Sequence, residues 1–165
     1  SLPSDRLIVI NSASKSFNMT GWRIGWLTHP KELGEHIAKL VQITTSGVPE
    51  FLQNGLVSAL KNFKSITYDL KINLKKSRDL MFNRLMTWSR IQCTLPQASF
   101  YAFFKVKDMN DSLQYAKHLI VKTNVGVAPG IAFGKSGEGH LRICFAANEK
   151  FINEVMDKLE PELNK

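Results

Sequence analysis

The chain has 165 residues, a formal net charge of +8 and a hydrophobic content of 44%. This length can bury a sizeable core, and the composition is ordinary for a globular protein. No apolar run approaches the roughly 20 residues of a membrane-spanning helix, and the N-terminal residues lack the pattern of a signal peptide. The cysteines, Cys93 and Cys144, lack metal-ligand spacing. We therefore expect reduced thiols, no metal site and a cytoplasmic protein without a membrane partner.

The positive charge does not by itself indicate a nucleic-acid partner. A nucleic-acid-binding surface clusters its basic residues, whereas the lysines here are spread along the chain. Their densest stretch, residues 71–78, has the pattern of the solvent-facing side of a long amphipathic helix. We therefore expect no nucleic-acid partner.

The first part of the chain is predicted to combine strands and helices. Residues 6–10 are apolar and rich in β-branched residues, which predicts a strand buried on both faces. A polar loop over 11–20 and a second strand over 22–28 follow. A helix is predicted over 31–44, and a second helix begins after the break at 46–49. The positions expected to be buried in the second helix are Phe51, Leu52, Leu56 and Leu60.

The second part begins with a long amphipathic helix, predicted from a joint at 62–64 to about Trp88. After this helix the hydrophobic period changes to that of strands. The predicted strands cover 91–95, 100–106, 126–128 and 141–146, and the predicted helices cover 111–123 and 148–164. Asn148 is the expected N-cap of the last helix. This mixture predicts a small α+β sandwich after a domain boundary near 62–68.

Residues 12–25 hold the most specific pattern in the chain, SASKSFNMTGWRIG. Lys15 lies among small hydroxylated residues, and Arg23 follows it eight positions later between Gly21 and Gly25. An arginine can bind a phosphate through two parallel hydrogen bonds, and hydroxyl groups can donate to other phosphate oxygens. A lysine amine can react with an aldehyde. The pattern therefore suits pyridoxal phosphate, held through a covalent bond to the lysine.

The same run resembles the attachment-site motif of the class I/II aminotransferases, the fold-type I pyridoxal-phosphate enzymes. That motif has a Gly or Ser three residues before the lysine, a small residue directly before it and an arginine eight residues after it, as here. The run is most similar to the aspartate-aminotransferase subgroup. The resemblance implies that Lys15 binds the cofactor and moves the substrate α-proton. It also implies that Ser12, Ser14 and Arg23 bind or neighbour the cofactor phosphate.

A second motif surrounds Arg142. This arginine interrupts an apolar strand, and a charge in such a strand is costly unless it meets an anion. The stretch from Val127 to Arg142 resembles the family's C-terminal motif, in which the arginine binds the α-carboxylate of the amino acid. The resemblance therefore implies that Arg142 binds substrate. His140 is left outside the expected site, and Cys144 is expected in the core.

The resemblance implies an α/β enzyme that transfers an amino group between an amino acid and a 2-oxo acid, as a homodimer in its full-length form. It covers nearly all of the chain but only about the C-terminal two-fifths of the family protein. We expect residues 1–62 to end the large cofactor-binding domain, and 63–165 to hold the interdomain helix and the small domain. The family's other cofactor contacts precede the lysine motif, so this fragment alone is expected to be inactive.

Two other functions remain open for a chain of this family. The first is a carbon–sulfur β-lyase on the same scaffold, which uses the same lysine and arginines but needs no oxo-acid acceptor. The second is a non-catalytic aminotransferase-like effector domain of a transcription regulator.

Overall fold

A computed structural model describes residues 5–164. The chain divides into two compact units, of which the first ends at Asp69 and the second begins at Leu70. The first four residues of the predicted domain 1–62 and the last residue of 63–165 lie outside the described residues. The assignment of these two ranges to a large and a small domain stays a prediction, since compact units need not coincide with the domains of a whole protein.

In the first unit, two short strands pair antiparallel. Strand β1 (Val9–Ser12) and strand β2 (Gly25–Thr28) place Val9 opposite Thr28 and Ser12 opposite Gly25. The segment between them contains the one-turn helix α1 (Ala13–Ser16). The expected burial of the first strand on both faces is wrong, because Ile10 is 79% exposed. Among the described residues these strands pair only with each other, so a two-stranded sheet leaves their faces uncovered.

Two whole helices follow in the first unit, α2 (Gly34–Thr45) and α3 (Glu50–Lys61). The predicted break between them is confirmed, and it begins at Ser46, whose left-handed backbone ends α2. Helix α3 packs on the loop that contains α1 through a small apolar cluster. The buried members of this cluster are Ala13, Phe17, Met19, Ile24, Leu56 and Ala59.

The predicted buried face of α3 is partly wrong. Phe51 and Leu60 are 71% and 42% exposed, and Ala59 is buried instead. The reason is the close approach of Trp22 to α3 at Gly55, where an added Cβ would lie 2.4 Å from the indole ring. A side chain at that point would have to displace the Trp22 ring, and the contact is made by the Gly55 face of α3.

The second unit is a two-layer α+β sandwich, as the sequence predicts. Helix α4 (Phe63–Met86) crosses the division between the units. It is followed in the second unit by β3 (Ile91–Cys93), β4 (Tyr101–Val106), α5 (Ser112–Thr123), β5 (Ala128–Pro129), β6 (His140–Cys144) and α6 (Glu149–Leu163). The four strands form an antiparallel sheet in the order β3-β4-β6-β5. The predicted N-cap is confirmed, since the Asn148 side chain accepts a hydrogen bond from the Phe151 N–H at 2.8 Å.

Alternation along β4 and β6 separates two faces of this sheet. Ala102, Phe104 and Val106 are buried on β4, as are Leu141 and Ile143 on β6. They pack with α4, α5 and α6 in one core that includes Met81, Leu85, Leu119, Ile152 and Met156. The intervening residues form the outer face of the sheet, namely Tyr101, Phe103, Lys105, His140, Arg142 and Cys144.

The expected burial of Cys144 is therefore wrong, because the outer face leaves this cysteine exposed. In the part of the chain that the structure describes, no helix has the length and apolarity needed to cross a membrane.

Two 3-10 turns connect β5 to β6, over Gly130–Phe133 and Lys135–Gly137. Their backbones touch directly. A Cβ added to Gly130 would lie 1.9 Å from the Gly137 carbonyl oxygen and 2.6 Å from the His140 carbonyl oxygen. Only glycine permits this approach, which fixes the path of the chain into β6.

We expect Gly130→Ala to lower the free energy of unfolding by about 1–3 kcal/mol or more, because its methyl group must displace backbone rather than a flexible side chain. Gly126→Ala is the matched control, since no atom lies within 4 Å of the Cβ position there. Urea denaturation of both variants tests this. Equal stability of the two variants would show that the contact between the turns is not required.

Candidate active site

The residues expected to bind the cofactor lie around α1 in the first unit. Ser12 caps this one-turn helix, and its hydroxyl oxygen accepts a hydrogen bond from the Ser14 N–H at 3.1 Å. Lys15 is in the helix, and its side chain is exposed. The predicted polar loop over 11–20 therefore contains a short helix. Ser12, Ser14 and Lys15 follow one another around this single turn of backbone.

One backbone hydrogen bond closes the loop between β1 and β2. The Ala13 N–H donates to the Ile24 carbonyl at 3.1 Å, next to the strand pair formed by Ser12 and Gly25. Lys15 comes two residues after the donor, and Arg23 comes one residue before the acceptor. The fold therefore brings the backbones of both residues to the base of a single loop.

Arg23 is held in an unusual conformation. The predicted strand over 22–28 begins only at Gly25, and Arg23 has a left-handed backbone with φ 51°. Such a conformation costs a non-glycine residue about 1–2 kcal/mol, and strain of this kind concentrates at functional sites. The guanidinium Nη1 donates to the Thr20 carbonyl at 2.9 Å. Within residues 5–164 the other guanidinium donors have no hydrogen-bond acceptor, and the side chain is exposed.

This set of groups fits pyridoxal phosphate by its donor chemistry. The loop presents an amine on Lys15, hydroxyl groups on Ser12 and Ser14, and an open guanidinium fork on Arg23. The fork and the hydroxyl groups suit a phosphate dianion, and the amine suits an aldehyde carbon.

Arg142 lies in the second unit, on the outer face of β6. Its Cζ atom is 4.1 Å from the centre of the Tyr101 ring and 4.4 Å from the centre of the Phe133 ring. No carboxylate pairs with Arg142 among residues 5–164. The cost of an arginine in this strand is therefore offset by aromatic contacts and partial exposure rather than by an anion of the described chain.

Further aromatic contacts extend from Arg142 across the outer face. Phe133 meets Phe103 edge to face, with ring centres 5.9 Å apart, and Phe103 stacks on the His140 ring at 4.9 Å. We call the set of Tyr101, Phe103, Phe133, His140 and Arg142 the arginine–aromatic cluster. Phe103 and Phe133 remain 40% and 47% exposed. The cluster therefore combines a cation with accessible aromatic surface.

The sequence prediction named Arg142 but missed the aromatic members of the cluster. The alternation of β4 could have placed Tyr101 and Phe103 on one face. No local signal could have placed Phe133, since it lies on a 3-10 turn after β5.

A hydrogen-bond network joins the turn of Phe133 to the starts of α5 and β6. The Glu138 carboxylate accepts from the Gly139 N–H at 2.9 Å and from the Ser112 N–H at 2.7 Å. The Ser112 hydroxyl oxygen accepts from the Ile131 N–H at 3.1 Å. The bonds from Gly139 and Ser112 lower the pKa of Glu138 below its usual range, because they stabilise the ionised carboxylate.

The predicted site residues thus fall into two groups, each described within its own unit. Ser12, Ser14, Lys15 and Arg23 share the β1–β2 loop, and Arg142 lies with the aromatic residues of the second unit.

A family model described as aminotransferase class I and II matches residues 2–159. The chain belongs to this family. The predicted family and the α/β fold are thereby confirmed, and relatives named aspartate aminotransferase, such as that of Pyrococcus abyssi at 31% identity over 96% of this chain, agree with the predicted subgroup.

Similar proteins include the probable N-acetyl-LL-diaminopimelate aminotransferase of Bacillus subtilis, at 33% identity over 94% of this chain and 40% of the relative. Among solved structures, an aromatic aminotransferase from Pyrococcus horikoshii matches with a TM-score of 0.90 and 30% identity, over 96% of this chain and 43% of the neighbour. The aspartate aminotransferase of Thermotoga maritima matches with a TM-score of 0.86 and 30% identity, over 100% of this chain and 42% of the neighbour.

The chain thus spans about two-fifths of the length of the relatives it matches. The expectation that these are the C-terminal two-fifths stays a prediction, because coverage alone does not place the match.

The network of Glu138 predicts a pH dependence of stability. Folding lowers the pKa of Glu138. The contribution of its ionised carboxylate to stability is therefore complete at pH values above the usual glutamate pKa, and it is lost as the pH falls through the lower pKa of the folded state. We expect Glu138→Gln to unfold at a lower temperature than the wild type at neutral pH and to lose less stability on acidification.

Thermal unfolding measured from neutral pH down to acid tests this expectation. Glu154→Gln is the control, since Glu154 is exposed and accepts no hydrogen bond from the rest of the described chain. If Glu138→Gln loses stability on acidification as steeply as the control, the network does not depend on the charge of Glu138.

Proposed function

We propose that this chain belongs to a pyridoxal-phosphate-dependent aminotransferase that acts on an amino acid and a 2-oxo acid. The observation that carries the proposal is the loop closed by the bond from Ala13 to Ile24, which holds Lys15, two serine hydroxyl groups and a strained Arg23 together. Family membership supports it. When bound, pyridoxal phosphate supplies an electron sink that eases removal of the proton from the substrate α-carbon.

Lys15 has two roles in this proposal. Its Nζ amine would hold the cofactor at the aldehyde carbon. Once freed by the substrate amine, it would accept the proton of the substrate α-carbon and deliver it to the former aldehyde carbon of the cofactor. A base that moves a proton must reach both positions, which suits an exposed lysine with a flexible four-carbon side chain.

Ser12, Ser14 and Arg23 hold the phosphate. The left-handed backbone of Arg23 directs a side chain whose position is fixed by its bond to Thr20, while its other donors remain available. A fork of this kind fits two phosphate oxygens at once, which a lysine cannot do.

Arg142 binds the α-carboxylate of the substrate. Its guanidinium lies beside the Tyr101 and Phe133 rings, which reduce its contact with water and so strengthen the attraction to a carboxylate. We further propose a cytoplasmic homodimer as the whole protein; this part rests on the resemblance to the family alone.

Attachment of the cofactor to Lys15 is tested by borohydride reduction of the whole natural protein with pyridoxal phosphate, followed by peptide mass mapping. We expect one stable adduct on Lys15, and its loss in Lys15→Ala together with all transamination. Lys39→Ala is the control, since Lys39 is also exposed but lies on α2. An adduct that persists in Lys15→Ala would overturn the assignment. Release of ammonia without an oxo acid would indicate the lyase instead.

The phosphate role of Arg23 predicts a graded loss of cofactor affinity. Hydrogen bonds to a charged group contribute about 1.5–3 kcal/mol, so Arg23→Gln should weaken cofactor binding by roughly 10- to 150-fold. Arg23→Lys keeps the charge but not the fork and should lie between Arg23→Gln and the wild type. Fluorescence titration of the apoprotein with pyridoxal phosphate measures both. Unchanged affinity in Arg23→Gln would remove Arg23 from the phosphate site.

A further inference from the structure

We infer that Tyr101 and Phe133 are positioning residues, whose rings hold the Arg142 guanidinium in one orientation for a carboxylate. The inference rests on the proposed function, in which Arg142 binds the carboxylate. The two rings would keep the Arg142 side chain in its binding orientation before the ligand arrives.

The two rings reach Arg142 from opposite sides of its strand. Tyr101 is on β4, and Phe133 follows β5, while β6 lies between these two strands in the sheet. Their ring centres are 4.1 Å and 4.4 Å from the Arg142 Cζ atom. The guanidinium is therefore restrained by two independently anchored segments rather than by a single neighbour.

Restraint matters because an arginine side chain loses much rotational freedom when it binds a ligand. A planar guanidinium stacks well on aromatic rings, and stacking leaves its N–H groups, which lie in its own plane, available for two parallel bonds to a carboxylate. In the described chain no acidic side chain competes for these donors. The rings thus order the arginine before the ligand arrives, which reduces the cost of binding.

The fold also holds the Phe133 ring in place. The turn of Phe133 is tied to α5 by the bond from the Ile131 N–H to the Ser112 hydroxyl oxygen, and it touches the next turn at Gly130 and Gly137. Phe103 supports the ring from β4 by an edge-to-face contact. The Phe133 ring is therefore held in place beside Arg142, although Phe133 is 47% exposed.

The test measures binding of two carboxylate probes, propanoate and 3-phenylpropanoate, to the whole natural protein with its cofactor, by NMR titration. We expect Tyr101→Leu and Phe133→Leu each to weaken both probes by a similar factor of about two- to tenfold, the cost of ordering one long side chain. Tyr101→Phe and Phe133→Tyr keep a ring and should restore wild-type affinity. Phe151→Leu is the control, since Phe151 is 55% exposed but lies on α6.

Two results would overturn the inference. If the leucine variants bind both probes as the wild type does, the rings do not position Arg142. If they weaken 3-phenylpropanoate alone, the rings contact the apolar part of the ligand instead. Arg142→Gln tests the proposed function separately, since unchanged binding in this variant would show that Arg142 is not the carboxylate site.

Folding of each variant is checked by its thermal unfolding. Phe133 and Phe151 are exposed and Tyr101 is partly exposed, and replacement of side chains outside the core rarely unfolds a protein. Methionine variants, which keep volume without a ring, replace any leucine variant that fails to fold.

Discussion

The second unit depends on the register between β4 and β6. Phe104 lies opposite Leu141 and Ala102 lies opposite Ile143, so these buried side chains share one face of the sheet. A shift of β6 by one residue would turn Arg142 into the core and expose Leu141 and Ile143 to water. The same constraint that builds the hydrophobic core therefore also places the arginine on the outer face.

The connection between β5 and β6 links this register to the site. Backbone contact between Gly130 and Gly137 fixes the two turns, and Glu138 ties their end to the start of α5. The contact between the two glycines and the bond of Glu138 together position Phe133, which is far from Tyr101 in sequence. In the first unit, one backbone bond from Ala13 to Ile24 serves the same purpose for Lys15 and Arg23, with the strained backbone of Arg23 at its edge.

Much of the second unit could be predicted because its signals are local. The helices predicted over 111–123 and 148–164 match α5 and α6 to within one residue at each end, since apolar spacing and the Asn148 cap act within single turns. Errors arose where neighbours decide burial. Cys144 has apolar neighbours in sequence but points to the outer face, and Phe51 is apolar but lies outside the α3 face that Trp22 contacts.

The sequence by itself determined the family and led to the proposed chemistry of the candidate site, because the spacing of Lys15, Arg23 and their small neighbours is a local pattern that can be recognised without knowledge of the fold. Only the tertiary structure decided which groups surround Arg142. Phe133 and the Glu138–Ser112 bond bring together segments that are distant along the chain. Their proximity follows from the order of the strands and from close backbone contacts between turns. Neither feature produces a periodic pattern or a fixed residue spacing that could be recognised in a single sequence.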